Sequence, residues 1–226
     1  KEINDYVNSL KEISKCWYYT YFPYDCDELS DEEKRWLSKL NRVGIGYFRP
    51  LVAVALSVDD EVSSQERISL LKEIERFIFL RFRMAGYNAS YKSSYYYNKT
   101  RELSQKKISL QNIADDLMET IGKDINPIIV NFIARTDKRF DSGLGFYGWR
   151  DLRYFLYEYE SHLSVENNIQ KIDWQMFSKV EKDKVTIEHI LPQTPSKWYW
   201  RNQFRHLNEE EIKILSGSLG NLLPLA

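Results

Sequence analysis

The sequence predicts a mainly α-helical fold, in which a helical bundle is followed by a small C-terminal β-hairpin. Apolar residues recur at helical spacing through most of residues 1–163. Two segments near the C-terminus, 185–193 and 219–225, instead have the composition of short strands. We therefore expect a helical domain over residues 1–163, a polar linker or seam over 164–184, and a separate small unit over 185–226.

Capping sequences, glycines and prolines set the expected limits of the helices. Ser30-Asp31-Glu32-Glu33 is a capping box, and Asn208 precedes three glutamates that suit the first turn of a short helix. Asp59 and Asp60 are expected to end the helix that Pro50 begins. Residues 87–100 lack an apolar stripe and are expected to be irregular. The other predicted helices cover residues 1–21, 30–41, 51–56, 63–86, 101–122, 126–136 and 147–163.

Composition excludes several classes of protein. With 226 residues, 43% of them hydrophobic and 29% charged, the chain can bury a core as one large or two small domains. A formal net charge of −1 argues against a protein that coats DNA by bulk electrostatics. No apolar run approaches the length of a membrane span. Cys16 and Cys26 stand without a Cys-x-x-Cys or paired histidines, so we expect no structural zinc and a cytoplasmic location.

The segment Val185-Thr186-Ile187-Glu188-His189-Ile190-Leu191-Pro192-Gln193 carries the clearest chemical signal. Its apolar and polar residues alternate until Pro192 stops the pairing, so Glu188 and His189 lie at the end of a strand and point to opposite faces. A carboxylate there can hold a hard divalent cation, and a neutral histidine can take a proton from water near pH 7. The same pair is also typical of a surface carboxylate next to an imidazole that packs in the core.

Together with Trp198 and the later Leu219-Gly220-Asn221-Leu222, this motif resembles an HNH (His-Me finger) nuclease. The version it resembles is the C-terminal domain of GmrSD-type, modification-dependent restriction endonucleases, in which a ββα-type finger grips one divalent metal. The resemblance implies that His189 is the general base and Glu188 the metal-side carboxylate. It also implies that Asn221 orients the loop around the histidine.

The reaction that this resemblance implies is metal-assisted hydrolysis of DNA phosphodiesters, with Mg²⁺ or Mn²⁺ as the cofactor. The family's last catalytic position, an asparagine or histidine on the following helix, has no counterpart before Ala226. The finger is therefore expected to lack its final helix, and the chain is expected to be an inactive fragment of an active nuclease. One such site cuts one strand, so a double-strand break would need two protomers.

Basic residues near the motif are the expected contacts to nucleic acid: Lys197, Arg201, Arg205 and His206. Two further basic clusters, Arg135 with Lys138 and Arg139, and Arg150 with Arg153, are interpreted as solvated helix faces. The helix that contains Arg150 resembles the one that precedes the motif in the same family, and its apolar stripe indicates packing. The rings of Trp198, Tyr199 and Trp200 would either clamp the hairpin or stack on bases, and the clamp is favoured.

Two kinds of function follow from these observations. The first is the C-terminal region of a prokaryotic phage-defence nuclease, whose expected partners are DNA, including modified phage DNA, and the parent protein's N-terminal nucleotide-handling domain. The second is a non-catalytic helical module that binds DNA or a partner subunit and keeps the motif as a fold element. A homo-oligomer built on the helices is a third, weaker interpretation. DNA binding that does not depend on Glu188 and His189 would favour the second.

Overall fold

Helices make up most of the chain, as the sequence predicts. The computed structural model describes residues 2–58, 63–167, 174 and 186–225. Helices α1 to α7 span Glu2–Tyr21, Asp31–Val43, Arg49–Ser57, Ser64–Phe77, Ser93–Ser104, Leu110–Asp141 and Leu152–Asn167. They are followed by strand β1 (Thr186–His189), helix α8 (Trp198–Gln203), helix α9 (Glu209–Ser216) and strand β2 (Leu222–Leu225). A mainly α-helical fold with one small hairpin is thus confirmed.

The chain divides into two compact units, residues 1–131 and 132–226, with the division inside α6. We call them the helical unit and the hairpin unit. The domain limits expected from the sequence, after 163 and after 184, stay a prediction. Helix α7 continues to Asn167, and residues 168–173 and 175–185 lie outside the described residues, as do Asp59 and Asp60.

The helical unit begins its helices where the sequence predicts. Ser30 accepts a hydrogen bond from the Glu33 main-chain N–H, and the Glu33 carboxylate accepts one from the Ser30 N–H, which completes the predicted capping box. Gly44 ends α2 with a φ of +85°, a conformation that glycine adopts without steric cost. Helices α1 and α3 pack together, as do α2 and α4.

Three aromatic side chains form the centre of the helical unit. Phe48, Phe77 and Tyr96 are each at most 1% exposed, and their ring centroids lie 5.0 to 5.7 Å apart. Contacts at this separation add to the apolar burial of each ring. Because Tyr96 belongs to α5, this cluster ties α5 to the ends of α3 and α4.

The prediction that residues 87–100 are irregular is wrong, because Ser93–Ser104 forms α5. Tyr96 and Leu103 are both buried on one side of that helix, seven residues apart. The side chains between them are mainly polar or tyrosine, so the apolar stripe is too sparse to recognise in the sequence. The cost of the weak local preference is offset by burial of Tyr96 in the aromatic cluster.

The predicted breaks at Gly122 and Pro127 are also wrong, since α6 runs without interruption from Leu110 to Asp141. A glycine inside a helix costs about 1 kcal/mol relative to alanine, and a proline about 3 kcal/mol. Side chains on one face of α6 are nevertheless buried on both sides of these residues, including Leu117, Ile121 and Ile128. Burial of each such side chain contributes about 1.5–3 kcal/mol, which is enough to keep the helix continuous.

The hairpin unit pairs its two strands across a long connection. Strands β1 and β2 are antiparallel, with Thr186 opposite Leu225 and His189 opposite Leu222. Helix α9 starts at a capping box formed by Asn208 and Glu211, as the sequence predicts. Helix α7 contacts β2. Within the described ranges, no helix combines the length and the apolar character that a membrane-spanning segment requires.

Candidate active site

The end of β1 presents a glutamate and a histidine on opposite faces of the hairpin. Thr186 and Glu188 are exposed, whereas Ile187 and His189 are partly covered, which is the alternation expected of a strand. The Thr186 hydroxyl donates a 2.7 Å hydrogen bond to the Glu188 carboxylate, two residues further along the same face. The acid and the imidazole are therefore neighbours in sequence, but their side chains point away from each other.

Asn221 fixes the main chain that follows the histidine. Its side-chain oxygen accepts a 2.6 Å hydrogen bond from the Leu191 N–H, and its amide nitrogen donates to the carbonyl oxygens of Leu191 and Ser216, each at 2.9 Å. The Ile190 N–H donates to the Asn221 carbonyl at 3.0 Å. Asn221 is 6% exposed. One buried amide thus satisfies three main-chain groups and holds residues 190 and 191 directly after His189.

Two side chains contact the imidazole of His189. The ring of Tyr147 lies 4.8 Å from it, centroid to centroid, at an interplanar angle of 47°. The amide nitrogen of Gln193 lies 3.3 Å from His189 Nε2. When this amide donates to Nε2, the imidazole carries its proton on Nδ1 and keeps Nε2 as the acceptor. The ring stays accessible, because His189 is only half-buried.

The surroundings of His189 favour its neutral form. Burial of the ring lowers the pKa of His189 below its ordinary value of 6.5, and the nearby Glu188 carboxylate opposes this by favouring the charged form. The effect of burial is the larger of the two. The imidazole is therefore mostly unprotonated at pH 7, the state that can accept a proton from water.

A close approach between two glycines places Tyr147 beside the histidine. The Phe146 N–H donates a 2.8 Å hydrogen bond to the Gly217 carbonyl. Gly145 has a φ of +52°, and a Cβ atom at this position would lie 2.6 Å from Gly217 Cα and from its carbonyl oxygen. No other residue fits here without moving the main chain. The turn between α6 and α7 is thus held against the end of α9, and Tyr147 extends from it to the imidazole.

The described residues do not by themselves form a dedicated metal centre. Among them, no group of three or more His, Cys, Asp or Glu side chains is arranged to hold a metal ion. Mg²⁺ in proteins often keeps several waters and binds one or two carboxylates together with substrate phosphates. The exposed carboxylate of Glu188 fits that second kind of site, in which the ion is shared with the substrate.

The four residues expected to contact nucleic acid lie between the two strands. Lys197 precedes the first turn of α8, Arg201 lies within it, and Arg205 and His206 follow it, all with exposed side chains. No contact between any of them and His189 is found in the described part of the chain. Trp198 is 76% exposed, so the interpretation of this ring as a clamp over the hairpin is wrong.

The structure adds residues to the site to which the sequence gives no role. Gln193 belongs to the motif, but its contact with the imidazole depends on the turn at Pro192, which the sequence pattern does not specify. Tyr147 lies in a glycine-rich turn that looks like a simple break between helices. Its only signal in the sequence is the Gly143/Gly145 pair, since such pairs often mark a close approach of two main chains.

The C-terminal part of the chain matches a known protein family. Residues 136–226 match the family described as GmrSD restriction endonucleases, C-terminal domain. No curated protein and no solved structure gives a significant match. The matched range contains both strands of the hairpin and the turn that carries Tyr147, so it includes each residue described around His189.

Proposed function

We propose, from the premise that residues 136–226 belong to the family of GmrSD restriction endonuclease C-terminal domains, that this chain is the catalytic region of a DNA endonuclease. The proposed reaction is metal-assisted hydrolysis of a phosphodiester bond by an HNH-type finger. The proposed substrate is foreign, modified DNA, and the proposed biological role is defence against phage.

The observation that carries this proposal is the set of hydrogen bonds between Asn221 and the residues that follow His189. A general base must keep its lone pair within hydrogen-bond reach of the attacking water, so the main chain that bears it has to be rigid. Three side-chain hydrogen bonds from a buried asparagine supply that rigidity at Leu191 and Ser216. A histidine that served packing alone would not need its ring left half-exposed.

In the proposed mechanism, His189 acts through Nε2. A substrate water replaces the contact from Gln193, donates its proton to Nε2 and attacks the phosphorus in line with the leaving oxygen. Tyr147 restricts the ring from one side, so that its orientation changes little during the reaction.

A divalent cation, Mg²⁺ or Mn²⁺, is part of the proposal. When bound, such an ion would stabilise charge on the phosphate and on the leaving oxygen. Glu188 is the residue that would hold it, together with oxygens of the DNA backbone and water. Because the Glu188 and His189 side chains lie on opposite faces of β1, we assign them separate tasks and do not make both of them ligands of one ion.

Plasmid nicking by the full-length protein tests this function. We expect wild-type protein to nick supercoiled plasmid with Mn²⁺ or Mg²⁺, and His189→Ala to lose at least about 100-fold of that rate, the usual contribution of a general base. A matched control is His162→Ala, which replaces another histidine of the hairpin unit and should keep the wild-type rate. Equal nicking by wild type and His189→Ala would remove His189 from the mechanism, whereas no nicking by either protein would favour the non-catalytic binding module.

A further inference from the structure

A cleft of about 300 Å³ opens on the same face of β1 as the histidine. Ile187 forms part of its lining, and Ile187 and His189 are two residues apart on one face of the strand. Tyr147 also lines the cleft, and the same ring contacts the imidazole. The cleft is therefore next to the proposed base, with one tyrosine ring between them.

The lining of this cleft is basic. Arg150 and Arg153, three residues apart around the start of α7, both contribute to it, and none of the described residues that line it is acidic. The buried side chains of Trp149 and Leu152 are also part of the lining. Arg150 is exposed and Arg153 is half-buried.

We propose that this cleft binds a backbone phosphate of the DNA strand that is cut at His189. The proposal rests on the proposed function and assigns to Arg150 and Arg153 the task of placing the scissile bond. A guanidinium offers a planar set of N–H donors that matches two phosphate oxygens at once. Two such groups at one cleft, beside an imidazole on the same strand face, provide both charge and orientation for a phosphodiester.

This assignment replaces the interpretation of Arg150 and Arg153 as a solvated helix face. Both side chains line one cleft with the buried Trp149 and Leu152, and Arg153 is itself half-buried, which a solvated face does not predict. Lys197, Arg201 and Arg205 are exposed in the connection between the strands and would add electrostatic attraction to the DNA backbone. The expected difference is that the two cleft arginines affect cleavage, whereas the other three affect mainly affinity.

The test measures DNA binding by the full-length protein in which His189→Ala prevents cleavage. The probe is a fluorescent duplex of 20 base pairs, titrated at several salt concentrations. Each phosphate contact contributes about 0.9 to the slope of log K against log salt. We expect Arg150→Gln and Arg153→Gln each to reduce the slope, and the pair together to reduce it by about one, because both contact the same phosphate. Arg101→Gln, an exposed arginine of α5, is the matched control and should leave the slope unchanged.

A second measurement separates positioning from simple attraction. With His189 present, Arg150→Lys keeps the charge but loses the paired donors, so it should keep the salt slope while the nicking rate falls about 10-fold. This rate change corresponds to the loss of about one well-oriented contact. The unfolding midpoint of each variant verifies the fold, and because Arg150 is exposed, its substitution keeps the test valid if Arg153→Gln does not fold.

The outcomes distinguish this proposal from the proposed function. Reduced slopes for Arg150→Gln and Arg153→Gln support the cleft even if wild-type protein nicks no plasmid, in which case only the endonuclease function is wrong. Unchanged slopes and unchanged nicking in these variants overturn the cleft, even if His189→Ala abolishes nicking. A reduced slope for Arg201→Gln, with none for the cleft arginines, likewise overturns it. Equal competition by free phosphate and by DNA at the same phosphate concentration would overturn the assignment to a DNA backbone.

Discussion

The buried polar side chains of the helical unit and of the hairpin unit have different structural roles. In the helical unit, the buried Glu33 carboxylate pairs with Arg67 at 2.5 Å, and the buried Arg81 pairs with Asp124. In the hairpin unit, the buried Asn221 is neutral, and its three side-chain hydrogen bonds join main-chain atoms. The first arrangement connects one helix to another. The second fixes a turn so that a neighbouring side chain can stay accessible.

The pKa values of the two units show the same contrast. In the helical unit, burial raises the pKa of the half-buried Tyr47 and of the fully buried Tyr96 far above the ordinary value of 10. Their hydroxyl groups donate to Tyr91 and Asp116. The pKa of His189 is lowered by a smaller amount. Burial therefore shifts the pKa of packed groups in this protein, so a shifted pKa does not by itself mark a reactive group.

The largest expected effect is on the helical unit, from Arg67→Met. This change leaves the Glu33 carboxylate, 1% exposed, without its cation, and breaking a buried pair in this way costs about 3 kcal/mol or more. The pKa of Glu33 is low because hydrogen bonds from Ser30 and Arg67 outweigh the opposing effect of burial. That stabilisation is present above the ordinary carboxyl pKa of 4.5 and is lost as pH falls through the lowered one.

Hydrogen exchange of the α2 and α4 amides at pH 7 measures this loss. The matched control is Lys72→Met, which breaks the pair between Lys72 and Glu32 on the same two helices, where both side chains are about two-fifths exposed. An exposed pair contributes at most about 1 kcal/mol. Equal losses for Arg67→Met and Lys72→Met would mean that burial does not make the Glu33–Arg67 pair more important than an exposed one.

A smaller but more local effect is expected in the hairpin unit, from Asn221→Ala. It leaves the Leu191 N–H and two carbonyls without their partner, at about 1–3 kcal/mol for each buried group that water cannot reach. Because water can enter part of the space, we expect a total loss of about 2–3 kcal/mol. The amide protons of Ile190 and Leu191 should exchange faster, while those of α2 and α4 keep their rates.

Two further variants define what Asn221 contributes. Asn221→Asp keeps an acceptor for the Leu191 N–H but loses both donated hydrogen bonds and buries a charge. Its loss of stability should therefore be at least as large as that of Asn221→Ala. Asn202→Ala, at an exposed asparagine of α8, is the matched control and should change stability by less than about 0.5 kcal/mol. Similar losses for Asn221→Ala and Asn202→Ala would mean that Asn221 does not fix the turn.

Most of the fold could be predicted from local signals, and the errors share one cause. The capping boxes at Ser30 and Asn208 depend on side chains within one turn, so the sequence specifies them directly. The existence of α5 and the continuity of α6 through Pro127 depend on burial against other helices. Such tertiary contacts can outweigh a weak or unfavourable local preference, and a single sequence does not reveal them.

The candidate site likewise combines residues that could be predicted from local motifs with residues that tertiary contacts bring to it. The strand limits around His189 and the position of Asn221 follow from two short motifs, and the antiparallel pairing of the strands brings the two together. The contacts of Tyr147 and the cleft of Arg150 and Arg153 depend on a turn about 40 residues earlier in the chain. That turn is held through a hydrogen bond to Gly217, so its position relative to β1 could be known only from the folded structure.

The most direct test of the central claim is chemical rescue of a protein that lacks the imidazole. In His189→Gly, added imidazole should enter the vacated position and restore nicking in proportion to the concentration of its neutral form. Asn221→Ala, in which the imidazole is present but its turn is loosened, should gain nothing from the same addition. Rescue of His189→Gly alone is the predicted result. Wild-type nicking by His189→Gly without imidazole would contradict the claim that His189 is the base of this site.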